Sequence, residues 1–286
     1  MLKLLPLCLL LLCPSLPAAE RLVWGLLPTP GHVNVVDGKP KDGAALESLW
    51  LLARHLPDIE MEYQLVNAPR LDRALSEGAP LCTSGSIRTA QRDQLAYFVP
   101  YLLVTPMQLI VRAGEQERFP LRNGKVLLPQ LFADPQLRGA FSTTRIYPQP
   151  LAATLEQANR AGQLQAIGVW TDQLLLMLSH DRFDYSFEFM APVRAIARHP
   201  QLGTALATLP LAEFDQMAES GLYCPRSAWG RAMAERLDGA VRALAAEQQP
   251  LLEFYRHHLT AESYRDYAPA IAAHYRQRAQ GPSRFE

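Results

Sequence analysis

The sequence is poor in several features that define large classes of protein. Cysteine is scarce, because only four occur among 286 residues. Basic and acidic residues are equal in number, 28 each, and no long basic block occurs, so the charge pattern does not support nucleic-acid binding. After residue 19 no apolar run is long enough for a membrane helix, which predicts a soluble mature chain.

Catalytic and metal-binding motifs are also missing. The sequence contains no G-x-S-x-G, S-x-x-K, P-loop, H-E-x-x-H or C-x-x-C pattern. The adjacent His257 and His258 predict a poor metal site, because neighbouring residues of a helix point to different sides. We therefore predict a protein that is not an enzyme and that holds neither a cofactor nor a metal.

The overall composition is that of a folded globular protein. Apolar residues make up 49% of the chain and charged residues 20%, which disfavours disorder. A length of 286 residues is compatible with one large domain or with two lobes.

The first nineteen residues have the pattern of a secretory signal peptide. Lys3 supplies the positive start, residues 4–12 form an apolar stretch too short to span a bilayer, and Ala18 and Ala19 mark the cleavage zone. A lipid anchor at Cys13 is disfavoured, because the residue before it is a leucine and not a small residue. Removing this segment deletes Lys3 and leaves 27 basic against 28 acidic residues, a net charge of −1.

Two cysteines, Cys82 and Cys224, remain after cleavage. In an oxidising compartment they form either a disulfide or two separate buried thiols, and the spacing alone does not decide. A disulfide closing so long a loop would contribute about 4–5 kcal/mol in the chain-entropy model. A catalytic role is disfavoured, since neither has a histidine nearby in the sequence.

The first hundred residues alternate strands and helices. Residues 59–66 alternate apolar and polar side chains as a half-buried strand does, and Asn67 is a good N-cap for the next helix. This order predicts βαβ units and a parallel sheet. The predicted elements are strands at 21–27, 59–66 and 80–83 and helices at 42–55 and 68–77.

The rest of the chain continues the α/β alternation and ends in helices. Strands are predicted at 107–112, 125–128, 137–141, 166–170 and 185–189, and helices at 150–160 and 171–178. A long amphipathic helix at 229–248 precedes a helical tail from 250 to 278.

Residues 81–101 are the most informative stretch. A buried strand ends in small polar residues, Thr89 then caps a short helix that carries Arg92, and an aromatic-x-P-Y strand follows. Strand end, T-x-x-R and aromatic-x-P-Y together resemble the signature of family-3 periplasmic solute-binding proteins. Alternatively, Arg92 is a surface residue that pairs with Asp93 or Glu77.

The resemblance implies a two-lobed α/β fold of the type II periplasmic-binding-protein class. Each lobe would be a mostly parallel sheet flanked by helices, and two crossover strands would join them. The implied first lobe comprises residues 20–109 and 226–286, including a helical C-terminal extension, and the second comprises residues 110–225. The segment Leu222-Tyr223-Cys224 would be the return crossover.

The resemblance also implies a ligand site between the lobes. Arg92 would bind a ligand carboxylate, because a guanidinium presents a planar fork to it. Trp24 and Tyr101 would pack against the ligand, and Arg70, in an N-A-P-R segment, would face the cleft. Hydrogen bonds would come from Ser84, Thr89, Ser142, Thr143 and Thr144, while Arg145 and Tyr147 match the arginine and tyrosine of a G-R-S-Y motif in an uncharacterised branch.

Two departures from the amino-acid binders weaken the case for a standard α-amino acid. Phe189 occupies the position of the carboxylate that pairs with the ligand amino group, and Ile87 occupies that of a hydroxyl donor. Glu188 could replace the missing acid only if its strand bulges, because side chains alternate faces. His32, in the loop after the first strand, is expected to be solvated.

These patterns predict a monomeric periplasmic receptor for a small anionic or zwitterionic ligand, working with an inner-membrane permease or sensor. One alternative is an interaction partner of a membrane sensor with a degenerate ligand site. A less favoured one is a dehydratase-type enzyme on the same fold, with Glu188 as its acid or base.

Overall fold

The computed structural model describes residues 20–286, so the predicted signal peptide and Cys13 lie outside the described residues. The strands are β1 (Glu20–Leu26), β2 (Asn34–Val36), β3 (Lys39–Asp42), β4 (Ile59–Leu65), β5 (Leu81–Ile87), β6 (Ala96–Val104), β7 (Gln108–Arg112), β8 (Leu121–Arg122), β9 (Lys125–Val126), β10 (Ala140–Ser142), β11 (Gln165–Ile167), β12 (Tyr185–Glu188), β13 (Leu206–Pro210) and β14 (Ala218–Pro225). The helices are α1 (Ala44–Ala53), α2 (Ala68–Ser76), α3 (Ala90–Leu95), α4 (Leu128–Ala133), α5 (Leu151–Arg160), α6 (Thr171–Ser179), α7 (Met190–Ile196), α8 (Ala228–Glu247), α9 (Gln249–His258) and α10 (Ala261–Gln280), with a 3-10 turn at Gln116–Arg118.

The first half of the molecule is built on a five-stranded sheet in the order β4-β1-β5-β14-β6. The strands β4, β1 and β5 run parallel, as the βαβ order predicts, and β14 is antiparallel to both of its neighbours. Asn67 and Thr89 act as the predicted N-caps, accepting hydrogen bonds from the backbone of Arg70 and Arg92. The apolar face of α8 covers the sheet through Met233, Leu237, Val241 and Leu244.

The second half is built on smaller sheets. β7 lies between β12 and β13 and is antiparallel to both, and β10 pairs in parallel with β11. A parallel bridge from Gly139 to Tyr185 connects the β10 end to β12. The predicted α/β class is confirmed, while the second half has a more mixed sheet than the parallel one expected.

The return to the first half comes earlier in the chain than the sequence indicated. Leu222, Tyr223 and Cys224 were expected to form the crossover, yet they lie inside β14 and pair with β5 and β6. The two halves are linked by residues 105–107 and 211–217, which precede β7 and β14. The predicted lobe bounds, 20–109 with 226–286 and 110–225, remain a proposal, and the strand pairing favours moving β14 to the first lobe.

Cys82 and Cys224 form a disulfide between the neighbouring strands β5 and β14. The bond spans 142 residues of sequence and lies in the first core. Of the two alternatives left open by the sequence, the structure therefore has the disulfide and not two separate thiols.

The C-terminal segment covers the outer edge of β6. Phe98 exchanges two backbone hydrogen bonds with Glu286, at 2.8 and 3.2 Å. The Tyr255 hydroxyl accepts from the Leu103 N–H at 2.7 Å and donates to its carbonyl at 2.9 Å. Tyr275 donates to the Tyr101 carbonyl at 3.1 Å. Because backbone groups of an edge strand need partners when they are buried, this tail is an integral part of the first half.

Several elements were not expected from the sequence. Helices α4 and α7 and strand β13 were not predicted, and a hairpin of β2 and β3 forms in a segment predicted as a loop. Within residues 20–286, none of the helices combines the length and apolar character needed to cross a bilayer.

Candidate functional site

A cavity of about 1170 Å³ lies between the two halves. Its first-half wall consists of the loop after β1, the start of α2 and the end of β5 with α3. Its second-half wall consists of residues 141–147, one side of α5, the start of α6 and Phe189. Parallel strands place their carboxyl ends at one edge of a sheet, and the ends of β1 and β5 meet here, where ligands of such sheets bind.

Arg92 lies on the first-half wall with its side chain almost fully buried. Its Nη1 donates to the Ser86 Oγ at 2.8 Å, and its Nε lies 3.5 Å from the Asp72 Oδ1. The Tyr223 ring centroid is 6.0 Å from the guanidinium carbon. These contacts hold the guanidinium in one orientation, and within the described residues no hydrogen bond uses its Nη2.

Ser84 and Thr89 lie beside Arg92 on the same wall. The Ser84 Oγ is buried without a hydrogen-bond partner among the described residues, so this hydroxyl does not contribute to holding the wall in place. The Thr89 Oγ1 caps α3 by accepting from the Arg92 N–H at 3.2 Å, and its own N–H donates to the Tyr223 hydroxyl. Thr89 therefore positions Arg92 as well as lining the cavity.

Most hydroxyl groups of the second-half loop, residues 142–147, form hydrogen bonds within the second half. The Ser142 Oγ donates to the Val169 carbonyl at 2.5 Å, and the Thr144 Oγ1 donates to the same carbonyl at 3.0 Å. Tyr147 accepts from the Ser142 N–H at 3.0 Å. Thr143 is exposed on the cavity wall. Of the three predicted hydroxyl donors, Thr143 makes no side-chain hydrogen bond among the described residues, whereas the hydroxyl groups of Ser142 and Thr144, like that of Tyr147, hold the loop in shape.

Glu188 is engaged in a buried network and does not face the cavity as a ligand contact. One carboxylate oxygen accepts from the Arg145 Nε and Nη2 at 3.1 and 2.8 Å and from the Phe189 N–H at 2.7 Å. The other oxygen accepts from the Thr171 hydroxyl at 3.0 Å. The pairing of β12 with β7 has no register shift, so the bulge that would let Glu188 replace the acid missing at Phe189 is absent, and Glu188 instead holds Arg145 on the wall.

Arg145 and Phe189 themselves line the cavity, with the guanidinium 5.2 Å from the ring centroid. The partly buried His32 lines the opposite wall. Burial and the positive charge of Arg145 lower the pKa of His32 to about 3, so this imidazole is neutral and not the solvated group expected from the sequence.

Three predicted contacts lie away from the cavity. Trp24 and Tyr101 are fully buried in the first core, and the Tyr101 hydroxyl donates to the Ser48 carbonyl at 2.7 Å. Arg70 is exposed on α2, whereas Ala68, Pro69 and Asp72 of that helix line the cavity. Because none of the three lines the cavity, we remove them from the set of candidate ligand contacts. For Trp24, the sequence indicated a strand but not the face of the sheet on which the side chain lies.

Trp170 is the main wall residue that the sequence analysis missed. It lies just before α6, is 48% exposed and lines the cavity. The signal was available, because Trp170 follows the parallel strand β11 at its carboxyl end, as Arg92 follows β5. A large exposed ring at a cavity wall offers a flat surface for an apolar or aromatic ligand.

The cavity lies where the halves approach closely. Gly31, on the loop after β1, has a φ of +79°, and a Cβ added there would lie 2.6 Å from the Ala191 carbonyl oxygen of α7. Only glycine permits both this backbone conformation and this approach. The loop carrying His32 is thus set against the second half.

No protein-family model matches the chain, and no curated protein matches it either. Similar solved structures are numerous, and all the following cover most of both chains. One, from work on glutathione import via GshT and the cystine ABC importer TcyBC of Streptococcus mutans, is 12% identical with a TM-score of 0.63, covering 84% of this chain and 95% of the other. The amino-acid ABC transporter substrate-binding protein AbpA of Streptococcus pneumoniae, bound to L-arginine, is 16% identical with a TM-score of 0.59, covering 92% and 97%.

A histidine kinase sensor domain with similarity to periplasmic binding proteins is also similar, at 17% identity and a TM-score of 0.59, with coverage of 86% and 94%. Identities this low establish the fold alone. The chain therefore has the two-lobed fold of the periplasmic substrate-binding proteins, as the sequence signature indicated.

Proposed function

We propose that this protein is a periplasmic receptor that binds a small, acid-bearing ligand in the cavity between its two halves. The observation that carries the proposal is the buried guanidinium of Arg92 on the cavity wall, oriented by Ser86 and Asp72. A charge-assisted bond to a carboxylate there would contribute about 1.5–3 kcal/mol, because the site is shielded from water.

The lining argues against a standard α-amino acid as the ligand. In the amino-acid binders that this sequence resembles, a carboxylate pairs with the amino group of the ligand. Here that position is Phe189, and the neighbouring Glu188 is already paired with Arg145. Trp170, Phe189 and Ile87 offer apolar surface instead. A monocarboxylate with an apolar or aromatic body, or a small peptide-like acid, fits these walls best.

The first experiment is to identify what the protein carries. Mature protein purified without refolding is denatured, and released small molecules are identified by mass spectrometry. A panel of small acids is then tested by thermal shift, because a bound ligand stabilises the folded state by RT ln(1 + [L]/Kd).

The matched variants are Arg92→Gln and Arg70→Gln. Both remove one arginine charge near the start of a first-half helix, but Arg92 lines the cavity and Arg70 is exposed outside it. We expect Arg92→Gln to lose the ligand-dependent shift and Arg70→Gln to keep it. Equal shifts in the two variants would contradict the assigned role of Arg92, and the absence of any ligand across the panel would contradict the receptor function.

Such a receptor either delivers its ligand to a membrane transporter or signals to a membrane sensor. The histidine kinase sensor domain among the similar structures supports a second candidate function, a partner of a membrane sensor. Crosslinking of the mature protein to membranes of the source bacterium, with and without ligand, separates them. A permease captured only with ligand supports transport, and a sensor captured regardless of ligand supports the second candidate.

An enzyme is the weakest alternative. The residue proposed as its acid or base, Glu188, already accepts four hydrogen bonds and is 2% exposed. A proton-transfer group must reach its substrate, which this carboxylate does not.

A further inference from the structure

A group of metal-ligating side chains lies outside the cavity wall, where α1 meets the end of α9. Glu47 is on the first turn of α1, and His257 and His258 are the last two residues of α9. One ligand atom from each residue lies within 4.8 Å of those of the other two. None of these three residues belongs to the ligand cavity described above.

The geometry of this group differs from what helix spacing suggests. Successive helical residues diverge by about 100° around the axis, which predicted that two adjacent histidines would not share an ion. In the structure the two imidazole rings are only 4.9 Å apart between centroids, at an interplanar angle of 82°. The His258 Nε2 lies 3.0 Å from the Glu47 Oε2, so one imidazole and the carboxylate are already in contact.

We propose that Glu47, His257 and His258 form a binding site for a divalent transition-metal ion, with Zn²⁺ as the best match. Two imidazoles and one carboxylate are a donor set that suits Zn²⁺ and not Mg²⁺ or Ca²⁺, which prefer oxygen ligands. Ligand atoms of a tetrahedral Zn²⁺ site lie about 3.4 Å apart, because each is about 2.1 Å from the ion. The three ligand atoms here lie within 4.8 Å of one another, and the exposed His257 side chain is free to rotate toward the other two.

Some neighbouring groups favour cation binding at this site and one opposes it. The second oxygen of Glu47 accepts from the Gly43 N–H at 3.0 Å, which fixes the carboxylate as outer-shell partners of metal ligands do. The carbonyl end of α9 carries a partial negative charge that favours a cation. Against this, the Arg194 guanidinium donates to the His258 carbonyl at 2.6 Å, and its positive charge weakens cation binding.

A metal ion at this position would connect two separate parts of the fold. Glu47 lies on α1 of the first half, whereas α9 belongs to the C-terminal extension, and Arg194 reaches the end of α9 from α7 of the second half. A metal held here fastens the extension to α1 beside the contact between the two halves. An open fourth position, filled by water or an external donor, distinguishes it from a closed structural site.

The test uses the mature chain after chelator treatment and dialysis. Zn²⁺ and Mg²⁺ are titrated by calorimetry, and bound metal is counted by mass spectrometry. We expect about one Zn²⁺ per chain, no uptake of Mg²⁺ and a rise in thermal stability on Zn²⁺ addition.

The decisive variant is His257→Ala, because His257 is exposed and its removal leaves the contact between Glu47 and His258 intact. We expect it to lower Zn²⁺ affinity by at least about tenfold. Glu47→Gln tests the carboxylate, with circular dichroism to verify folding. The matched control is His180→Ala, an exposed histidine at the end of α6, which should bind Zn²⁺ as the parent does.

Two results would overturn the site. One is the absence of saturable Zn²⁺ binding to the parent chain, and the other is equal affinity of the His257→Ala and His180→Ala variants. Because stoichiometry and affinity are measured without any cleft ligand, the outcome is independent of the proposed receptor function.

Discussion

Arg145 donates from both Nε and Nη2 to a single carboxylate oxygen of Glu188, at 3.1 and 2.8 Å, across 43 residues of sequence. The arginine side chain is 18% exposed at the cavity wall, and the glutamate side chain is 3% exposed behind it. The charge of the Arg145 guanidinium on the second-half wall is therefore largely balanced by Glu188 behind it. Arg92 on the other wall is paired more loosely, with its Nε 3.5 Å from the Asp72 Oδ1.

Replacing Glu188 by glutamine should destabilise the protein and change the cavity. The variant keeps the side-chain shape but removes the charge that Arg145 faces, and we expect a loss of about 1–3 kcal/mol in the free energy of unfolding. The freed guanidinium should also strengthen binding of an anionic ligand. Urea unfolding and ligand titration measure the two effects.

The control for this variant is Glu60→Gln, an exposed acid on β4. It should change the free energy of unfolding by less than about 0.5 kcal/mol. If the two variants unfold at the same urea concentration, the network around Glu188 does not contribute to stability.

His32 should make the protein less stable in mild acid. Its folded pKa is about 3, well below the ordinary value of 6.5, so the unfolded chain binds the extra proton first. Stability from this group is complete above about pH 6.5 and is lost as the pH falls toward 3, by an amount on the order of 1–3 kcal/mol at pH 4.5.

This prediction is checked by urea unfolding between pH 7.5 and about 4.5 in the presence of a chelator. His32→Gln should flatten the pH dependence relative to the parent chain, and His180→Gln, at an exposed position, should not. A parent and a His32→Gln variant that lose stability in parallel would show that His32 is not buried neutral.

Reduction of the disulfide should lower stability strongly. The Cys82–Cys224 bond closes 142 residues, which corresponds to about 4–5 kcal/mol in the chain-entropy model. We expect dithiothreitol to lower the urea midpoint of residues 20–286. The same reductant should leave a Cys82→Ala, Cys224→Ala double variant unchanged, because these are the two cysteines within residues 20–286.

Removing one hydroxyl from Tyr255 should cost more than removing a comparable one from Tyr264. The Tyr255 hydroxyl serves both backbone groups of Leu103 and lies 3.0 Å from the Tyr275 hydroxyl, so Tyr255→Phe leaves buried polar groups without partners. We expect a loss of about 1–3 kcal/mol. Tyr264→Phe breaks one exposed contact with Arg256 at 3.4 Å and should be nearly neutral. Thermal unfolding of both variants decides, and equal midpoints would mean that the Leu103 bonds are dispensable.

Local sequence signals predicted the parts of the site that depend on chain order. The βαβ alternation predicted the first sheet, and the strand end followed by Thr89 and Arg92 predicted a side chain at the carboxyl edge of β5. The same rule was available for Trp170 after β11 and was not applied. These signals work because strand direction and helix caps are set within a few residues.

Signals that depend on distant parts of the chain were not available. Hydrophobic periodicity placed Trp24 in a strand, but the position of α1 and α8 decides which face of that strand is core. The pairing of Glu188 with Arg145 requires β12 and the loop after β10 to lie side by side, which no local pattern reports. The same holds for His257 and His258, whose convergence depends on rotamers and on the neighbouring α1.

The covering of β6 by the C-terminal segment has a consequence for the protein in solution. A strand with free N–H and C=O groups along one side is a template onto which a second molecule can add a strand, and chains of such additions lead to fibrils. Here Glu286, Tyr255 and Tyr275 occupy that side, so the tail keeps each molecule from recruiting its neighbours. A protease that trims the tail would thereby expose these backbone groups to pairing with a strand of a second molecule.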